Sequence, residues 1–223
     1  AIDTTDLASA VDLARVLKGK VGGVKLGKEF FTAHGPEGVA RVADTGHRIF
    51  LDLKFHDIPN TVAGAVRAAA GLGCFLLTIH ASGGAEMIRA AMDARGDAPD
   101  LSIVAVTVLT SLGATDMDAI GQSQPIAEQV LRLGRLAKNS GASGVVASPH
   151  EVAALRSALG PDFLLVVPGV RPSWASTNDQ KRIMTPADAV RAGADYLVIG
   201  RPITRAGNPA DAAQRIADEM AAV

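Results

Sequence analysis

The chain has 223 residues, 48% of them hydrophobic, and a net charge of −1, so one domain with a large core is expected. The near-neutral charge, without long runs of one sign, argues against a nucleic-acid partner. The longest uncharged apolar run, residues 68–79, is too short to span a bilayer. Cys74 is the one cysteine, which suits a reducing compartment, and no signal peptide is visible, so we expect a cytoplasmic protein.

Short apolar runs alternate with longer alanine-rich segments of helical pattern along the whole chain. Eight runs have the composition of strands: 1–3, 22–26, 48–53, 75–80, 102–109, 144–147, 163–167 and 196–199. Helical patterns include 7–17, 61–70, 85–94, 125–138, 149–159, 186–192 and 209–222.

The strand-like runs are continuously apolar, which indicates a parallel sheet buried on both faces. Eight β/α repeats in this length predict an α/β fold, a (β/α)8 TIM barrel, as a single domain over residues 1–223. A doubly wound open sheet is the alternative. Because Ala1 already lies inside the first run, we expect the natural chain to begin a few residues upstream.

Charged residues follow the predicted strands at one end only. In a TIM barrel the active site lies at the carboxyl ends of the strands, where the loops converge. The residues found there are Asp3, Lys25, Asp52, Lys54, Asp57, Thr110, Pro168, Arg171, Gly200 and Arg201. Charge concentrated at this end is typical of a functional site rather than of a solvated rim.

Residues 51–61, at the end of the third run, are the most informative segment. Asp52 and Lys54 should point to the same side, because side chains alternate along a strand. A structural ion pair at a strand end is the simpler interpretation of such a motif taken alone. A lysine flanked by carboxylates keeps its proton, so it suits an acid better than a Schiff-base nucleophile.

Two features near the carboxyl terminus predict a phosphate site. Gly200 and Arg201 follow the last run; glycine would let a phosphate approach backbone N–H groups, and arginine offers a planar fork of donors. The long loop 168–185 has no apolar periodicity, and loops of this length are usually functional or disordered. We interpret it as a lid over an anion, with a mobile surface loop as the alternative.

Taken together, these segments resemble the bacterial orotidine 5′-phosphate decarboxylases over essentially the whole chain. The matching segments are 1–3, 24–27, 50–62, 78–84, 106–111, 167–172, 179–182 and 199–204. The resemblance implies decarboxylation of orotidine 5′-phosphate to UMP, a step of pyrimidine biosynthesis, without metal or organic cofactor.

The same resemblance implies a role for each matching residue. Lys54 would protonate the C6 carbanion, Asp52 would face the substrate carboxylate, and Lys25 and Asp57 would complete the catalytic set. Contacts to the substrate would come from Asp3, Lys25, Asp52, Ile58, Thr61, Thr110, Pro168, Arg171, Gln180, Gly200 and Arg201. Asp57 and Thr61 would reach into the site of the other subunit, which implies a homodimer with shared active sites.

Two other functions remain open at the level of sequence. A metal-dependent sugar-phosphate decarboxylase or aldolase of the same superfamily shares the Asp-x-Lys-x-x-Asp pattern, although no histidine spacing typical of a metal site occurs. A non-catalytic barrel that binds a nucleotide is the third candidate, but it would have no use for a lysine beside the reacting carbon.

Overall fold

A computed structural model describes residues 1–98, 100–175 and 184–223. Its strands form one parallel sheet in sequential order, so every strand pairs with its neighbours in the chain. The strands are β1 (Val24–Gly27), β2 (Ile49–Phe55), β3 (Leu76–His80), β4 (Ser102–Val106), β5 (Gly144–Val146), β6 (Leu164–Pro168) and β7 (Tyr196–Val198). Sequential order excludes the doubly wound alternative, in which the strand order reverses within the sheet.

The prediction of a strand over residues 1–3 is wrong, because this segment forms only a single β-bridge, from Ile2 to Leu26. The Ala1 nitrogen donates to the carbonyl oxygen of Ile199, 2.7 Å away, just after β7. Residues 1–2 therefore link β7 to β1 and nearly close the seven strands into a barrel.

Helices follow the strands as the repeat pattern predicts. They are α1 (Leu7–Val16), α2 (Lys28–Ala43), α3 (Pro59–Ala70), α4 (Gly84–Ala94), α5 (Ala114–Ala119), α6 (Ile126–Asn139), α7 (Val152–Leu159), α8 (Pro186–Arg191), α9 (Arg201–Thr204) and α10 (Pro209–Ala221). Residues 149–159, predicted as one helix, instead begin with a short 3₁₀ turn, Pro149–Glu151, before α7. In the part of the chain that is described, no helix is both long and apolar enough to cross a membrane.

Two apolar clusters hold the barrel together. A large one lies between the sheet and the surrounding helices, and a small one is built on Phe50, Leu76, Val104 and Val166. Phe50 is two residues before Asp52, so both side chains point to the inner face of β2. The inner cluster therefore forms an apolar floor beneath the charged residues.

A cavity of about 570 Å³ lies where β7 and β1 face α10. It is lined mainly by apolar side chains, including Leu197, Ile216 and Met220, and it extends to Phe50 on the inner face. The charged residues at the strand ends surround a different, smaller cavity.

Candidate active site

A cavity of about 170 Å³ opens at the carboxyl ends of the strands. Lys25, Asp52, Lys54 and Thr110 supply polar groups to its wall, and Pro168 closes one side. The remaining wall is mainly apolar: Phe50, Val106, Val108, Leu109, Val146, Ala147, Val166 and Val198. Because apolar walls lower the local dielectric, the few charges in this cavity interact strongly.

Four of the predicted charged residues form one chain of ion pairs. The Lys54 Nζ lies 2.7 Å from Asp52 Oδ1, and the Lys25 Nζ lies 3.4 Å from Asp52 Oδ2. Lys25 also reaches Asp3 Oδ1 at 3.4 Å. The side chain of Asp52 is only 12% exposed, whereas that of Asp3 is 60% exposed, so the chain runs from the interior to the rim.

The charges around Asp52 decide its protonation state. Burial by itself raises the pKa of this carboxyl, but Lys25 and Lys54 lower it, as do the hydrogen bonds from Lys54 and Thr78. The net result is a pKa below the ordinary aspartate value. Asp52 is therefore a largely buried carboxylate that is ionised at neutral pH.

A local irregularity of β2 brings Lys54 against Asp52. The ladder with β3 is regular up to Leu51 and resumes at Phe55, so a bulge lies between them. Lys54 has a backbone φ of 53°, a left-handed conformation that a residue with a side chain adopts only at a cost. Alternation along a regular strand predicts the common side of Asp52 and Lys54, but it does not predict this turn.

Asp57 stands apart from the ion-pair chain. It is exposed, and its Oδ1 accepts a hydrogen bond from the backbone N of Ile58 at 2.6 Å. Ile58 is 66% exposed and precedes the first turn of α3, where Thr61 is also exposed. Within one chain, the structure thus groups Lys25, Asp52 and Lys54 but leaves the 57–61 segment on the surface.

The predicted phosphate side contains two neighbouring guanidinium groups. Burial and the positive charge of Arg201 both lower the pKa of Arg171. Gly200 precedes α9, and a Cβ atom there would lie 3.8 Å from Asp3 Oδ2. Two arginines that repel each other beside a glycine are favourable for binding an anion.

Gln180 and the middle of the predicted lid, residues 176–183, lie outside the described residues. The described start of that loop includes Trp174, whose ring lies 4.2 Å from the guanidinium carbon of Arg215 on α10.

The candidate residues taken from the sequence omit Thr78, a wholly buried residue of β3 that donates to Asp52 Oδ1 at 2.9 Å. Its signal is a polar residue within the apolar run 75–80. The sequence-based candidates also omit the apolar wall of the cavity, because valines such as Val106 and Val198 match the pattern of core residues.

The metal-ligating potential of the described residues is low: no group of three or more His, Cys, Asp or Glu side chains is placed to hold an ion. In addition, both carboxylate oxygens of Asp52 already face lysine ammonium groups.

Comparison with known proteins decides the family. The model of the orotidine 5′-phosphate decarboxylase / HUMPS family matches residues 1–216. The chain belongs to this family. A Paramagnetospirillum magneticum protein named orotidine 5′-phosphate decarboxylase is 56% identical, over 99% of this chain and 96% of its own length. An Anaeromyxobacter sp. (strain K) protein of the same name is 55% identical, over 97% and 95%.

Solved structures show the same fold. An orotidine 5′-phosphate decarboxylase from Lactobacillus acidophilus superimposes with a TM-score of 0.80 at 39% identity, over 94% of this chain and 93% of that one. An uncharacterized conserved protein from Geobacillus kaustophilus gives a TM-score of 0.84 at 36% identity, over 98% and 97%. The chain therefore has the TIM-barrel fold that its sequence predicts.

A histidine pair adjoins the site and has a consequence for stability. The rings of His56 and His80 stack with centroids 5.2 Å apart. The pKa of His80 is lowered to about 4, chiefly by burial and also by the charges of His56, Lys28 and Lys54, which together outweigh the opposing charge of Asp52. His80 is therefore neutral in the folded protein at pH 7.

We predict that His80 makes stability fall in mild acid. Between about pH 6.5 and 4 the unfolded chain binds a proton at His80 that the folded protein does not bind, so acid favours unfolding. Urea denaturation across this range should show a shallower pH dependence for His80→Gln than for the wild type. His150→Gln removes an exposed imidazole and is the control. Parallel curves for wild type and His80→Gln would contradict the prediction.

Proposed function

We propose that this protein decarboxylates orotidine 5′-phosphate to UMP without a metal or organic cofactor. The observation that carries the proposal is the Lys54 ammonium, 2.7 Å from the largely buried carboxylate of Asp52, in a cavity with apolar walls. The full-length relatives at 55–56% identity bear the name of this activity. The family model also covers HUMPS proteins. The residues of the site therefore have to distinguish an orotidine 5′-phosphate decarboxylase from a HUMPS protein.

The reaction breaks the bond between C6 of the pyrimidine and its carboxylate. The bonding electrons stay on C6, CO2 leaves, and Lys54 gives a proton from Nζ to C6 to form UMP. A localised carbanion needs a fixed cation beside it, and an ammonium already oriented by Asp52 costs little reorganisation. The Asp52 charge faces the substrate carboxylate, and this repulsion disappears as neutral CO2 forms.

Substrate contacts follow the layout of the site. Lys25 and Asp3 would contact the ribose hydroxyls, and Thr110 would contact the pyrimidine. Arg171 and Arg201, with Gly200, would hold the phosphate. Gln180 and the loop around it would complete the phosphate site, and Ile58 and Pro168 would border the substrate. Binding energy from the phosphate can hold the base against Asp52.

We also propose that the protein acts as a homodimer in the cytoplasm, with residues 1–223 as one catalytic domain. Asp57, Ile58 and Thr61 are exposed at the start of α3, beside the site but outside its ion-pair chain. Their position suits residues that complete the site of a second copy.

The metal-dependent sugar-phosphate reaction is less well supported. It would need Asp52 to bind a cation, yet both oxygens of this carboxylate are paired with lysine ammonium groups. A purely nucleotide-binding barrel does not explain why two lysines and a carboxylate are held together at the cavity wall.

We predict that Lys54→Ala abolishes turnover but not binding. The loss of orotidine 5′-phosphate absorbance, measured in EDTA, should be rapid for the wild type and slower by at least about 1,000-fold for Lys54→Ala, because the variant has no proton donor at C6. Lys18→Ala, which replaces an exposed lysine in the turn after α1, should match the wild type.

Calorimetry of UMP binding to the Lys54→Ala variant shows whether the variant is folded. A loss of turnover can then be assigned to the chemical step and not to unfolding. A folded Lys54→Ala protein with substantial turnover would overturn the role of Lys54. A folded wild type that binds UMP without turnover would favour the sensor interpretation. Turnover of a sugar phosphate that requires Mg²⁺ would favour the sister reaction.

We predict that two inactive variants complement each other if sites are shared. Lys54→Ala and Asp57→Ala proteins, unfolded and refolded together, should regain about a quarter of wild-type turnover, since half the dimers are mixed and each has one intact site. Each variant refolded alone is the control. No recovery, with mixed dimers present by native mass spectrometry, would contradict shared sites.

A further inference from the structure

Thr78 occupies an unusual place in the sheet. Leu51 pairs with Leu77, and the next registered pair is Phe55 with Ile79. Three residues of β2, 52–54, thus face the single residue Thr78 of β3. A bulge of this kind disrupts the regular ladder of backbone hydrogen bonds and redirects side chains.

The hydroxyl of Thr78 makes two hydrogen bonds across this bulge. It accepts from the backbone N of Lys54 at 2.8 Å and donates to Asp52 Oδ1 at 2.9 Å. The same Oδ1 accepts from the Lys54 Nζ at 2.7 Å. The three contacts close a ring that joins the backbone of Lys54, the carboxylate of Asp52 and the ammonium of Lys54.

Thr78 is fully buried, and it is absent from the wall of the site cavity. It therefore acts on the two charged residues rather than on a bound molecule. Lys54 is also the one non-glycine residue with positive φ among residues 1–98, 100–175 and 184–223. A strained backbone persists where its surroundings fix it, and the hydrogen bond to Thr78 fixes the amide of Lys54.

We propose that Thr78 is a positioning residue, whose hydroxyl holds the bulge of β2 so that the Lys54 ammonium and the Asp52 carboxylate keep their reactive arrangement. This inference rests on the proposed decarboxylation for its kinetic consequence, although the geometric part stands without it. A threonine with only a packing role would need its volume but not its hydroxyl.

Thr78→Val tests this distinction, because valine keeps the shape and removes the hydroxyl. We expect kcat to fall about 10- to 100-fold, since small misplacements of reacting groups are costly. KM and UMP binding should change less than about threefold, because Thr78 does not line the cavity. Thr78→Ser, which restores the hydroxyl, should return kcat to near the wild-type value.

Thr107→Val is the matched control. Thr107 is a buried threonine just after β4, and its hydroxyl donates to the carbonyl oxygen of Val146 at 2.9 Å, away from the ion pairs. The loss of the Thr107 hydroxyl should lower the melting temperature, as we also expect for Thr78→Val, but it should leave kcat near the wild-type value.

Crystal structures of the wild type and Thr78→Val complete the experiment. In the variant we expect the backbone φ of Lys54 to change from its value near 53°, or the Asp52 carboxylate to turn away from the Lys54 Nζ. An unchanged kcat in Thr78→Val, or a loss that Thr78→Ser does not restore, would overturn the proposal. A wild type without turnover would instead refute the proposed function; unchanged geometry in Thr78→Val would then overturn the positioning role.

Discussion

A single carboxylate, Asp52, has to remain charged while nearly buried, and the rest of the site is organised by that requirement. Removing a carboxylate from water is costly unless it is paired and hydrogen-bonded. Here Lys54 and Lys25 each face one oxygen, and Thr78 donates a further hydrogen bond. Removing either lysine would leave a poorly compensated charge beside the apolar floor.

The barrel supplies what this charge cluster needs. Parallel strands bring their carboxyl ends to one edge, so Lys25 from β1 reaches Asp52 from β2. Valines from the other strands exclude water and strengthen every interaction inside. The arginine pair, Arg171 and Arg201, belongs to later segments of the chain, so in the proposed function the phosphate would be bound and the chemistry carried out by separate elements.

The sequence predicts the fold and the charged chain because both depend on regular patterns. Period-two alternation puts Asp52 and Lys54 on one side, and the barrel puts Lys25 near them. The prediction of strand for residues 107–109 is wrong, since β4 ends at Val106. The backbone N and the hydroxyl of Thr107 both donate to the Val146 carbonyl, which is the last hydrogen bond at this end of β4. Residues 1–3 form a bridge and not a strand.

The remaining features depend on contacts between elements, which no local pattern reveals. The left-handed turn at Lys54 and the bulge beside Thr78 follow from the register of β2 on β3. A buried threonine in an apolar run matches the pattern of a core residue, and only the structure shows that the Thr78 hydroxyl bridges Lys54 and Asp52. Asp57 belongs to the same motif as Lys54, yet the start of α3 places it on the surface.

The most direct measurement is the titration of the Asp52 carboxyl carbon by ¹³C NMR, assigned by its loss in Asp52→Asn. We expect Asp52 to be still mainly ionised near the ordinary aspartate pKa of about 3.9, because the two lysines lower its pKa. We also expect a higher pKa of Asp52 in Lys25→Met and in Lys54→Met. A wild-type pKa of Asp52 above the ordinary value, or one that neither substitution changes, would show that the two lysines do not keep this carboxylate charged.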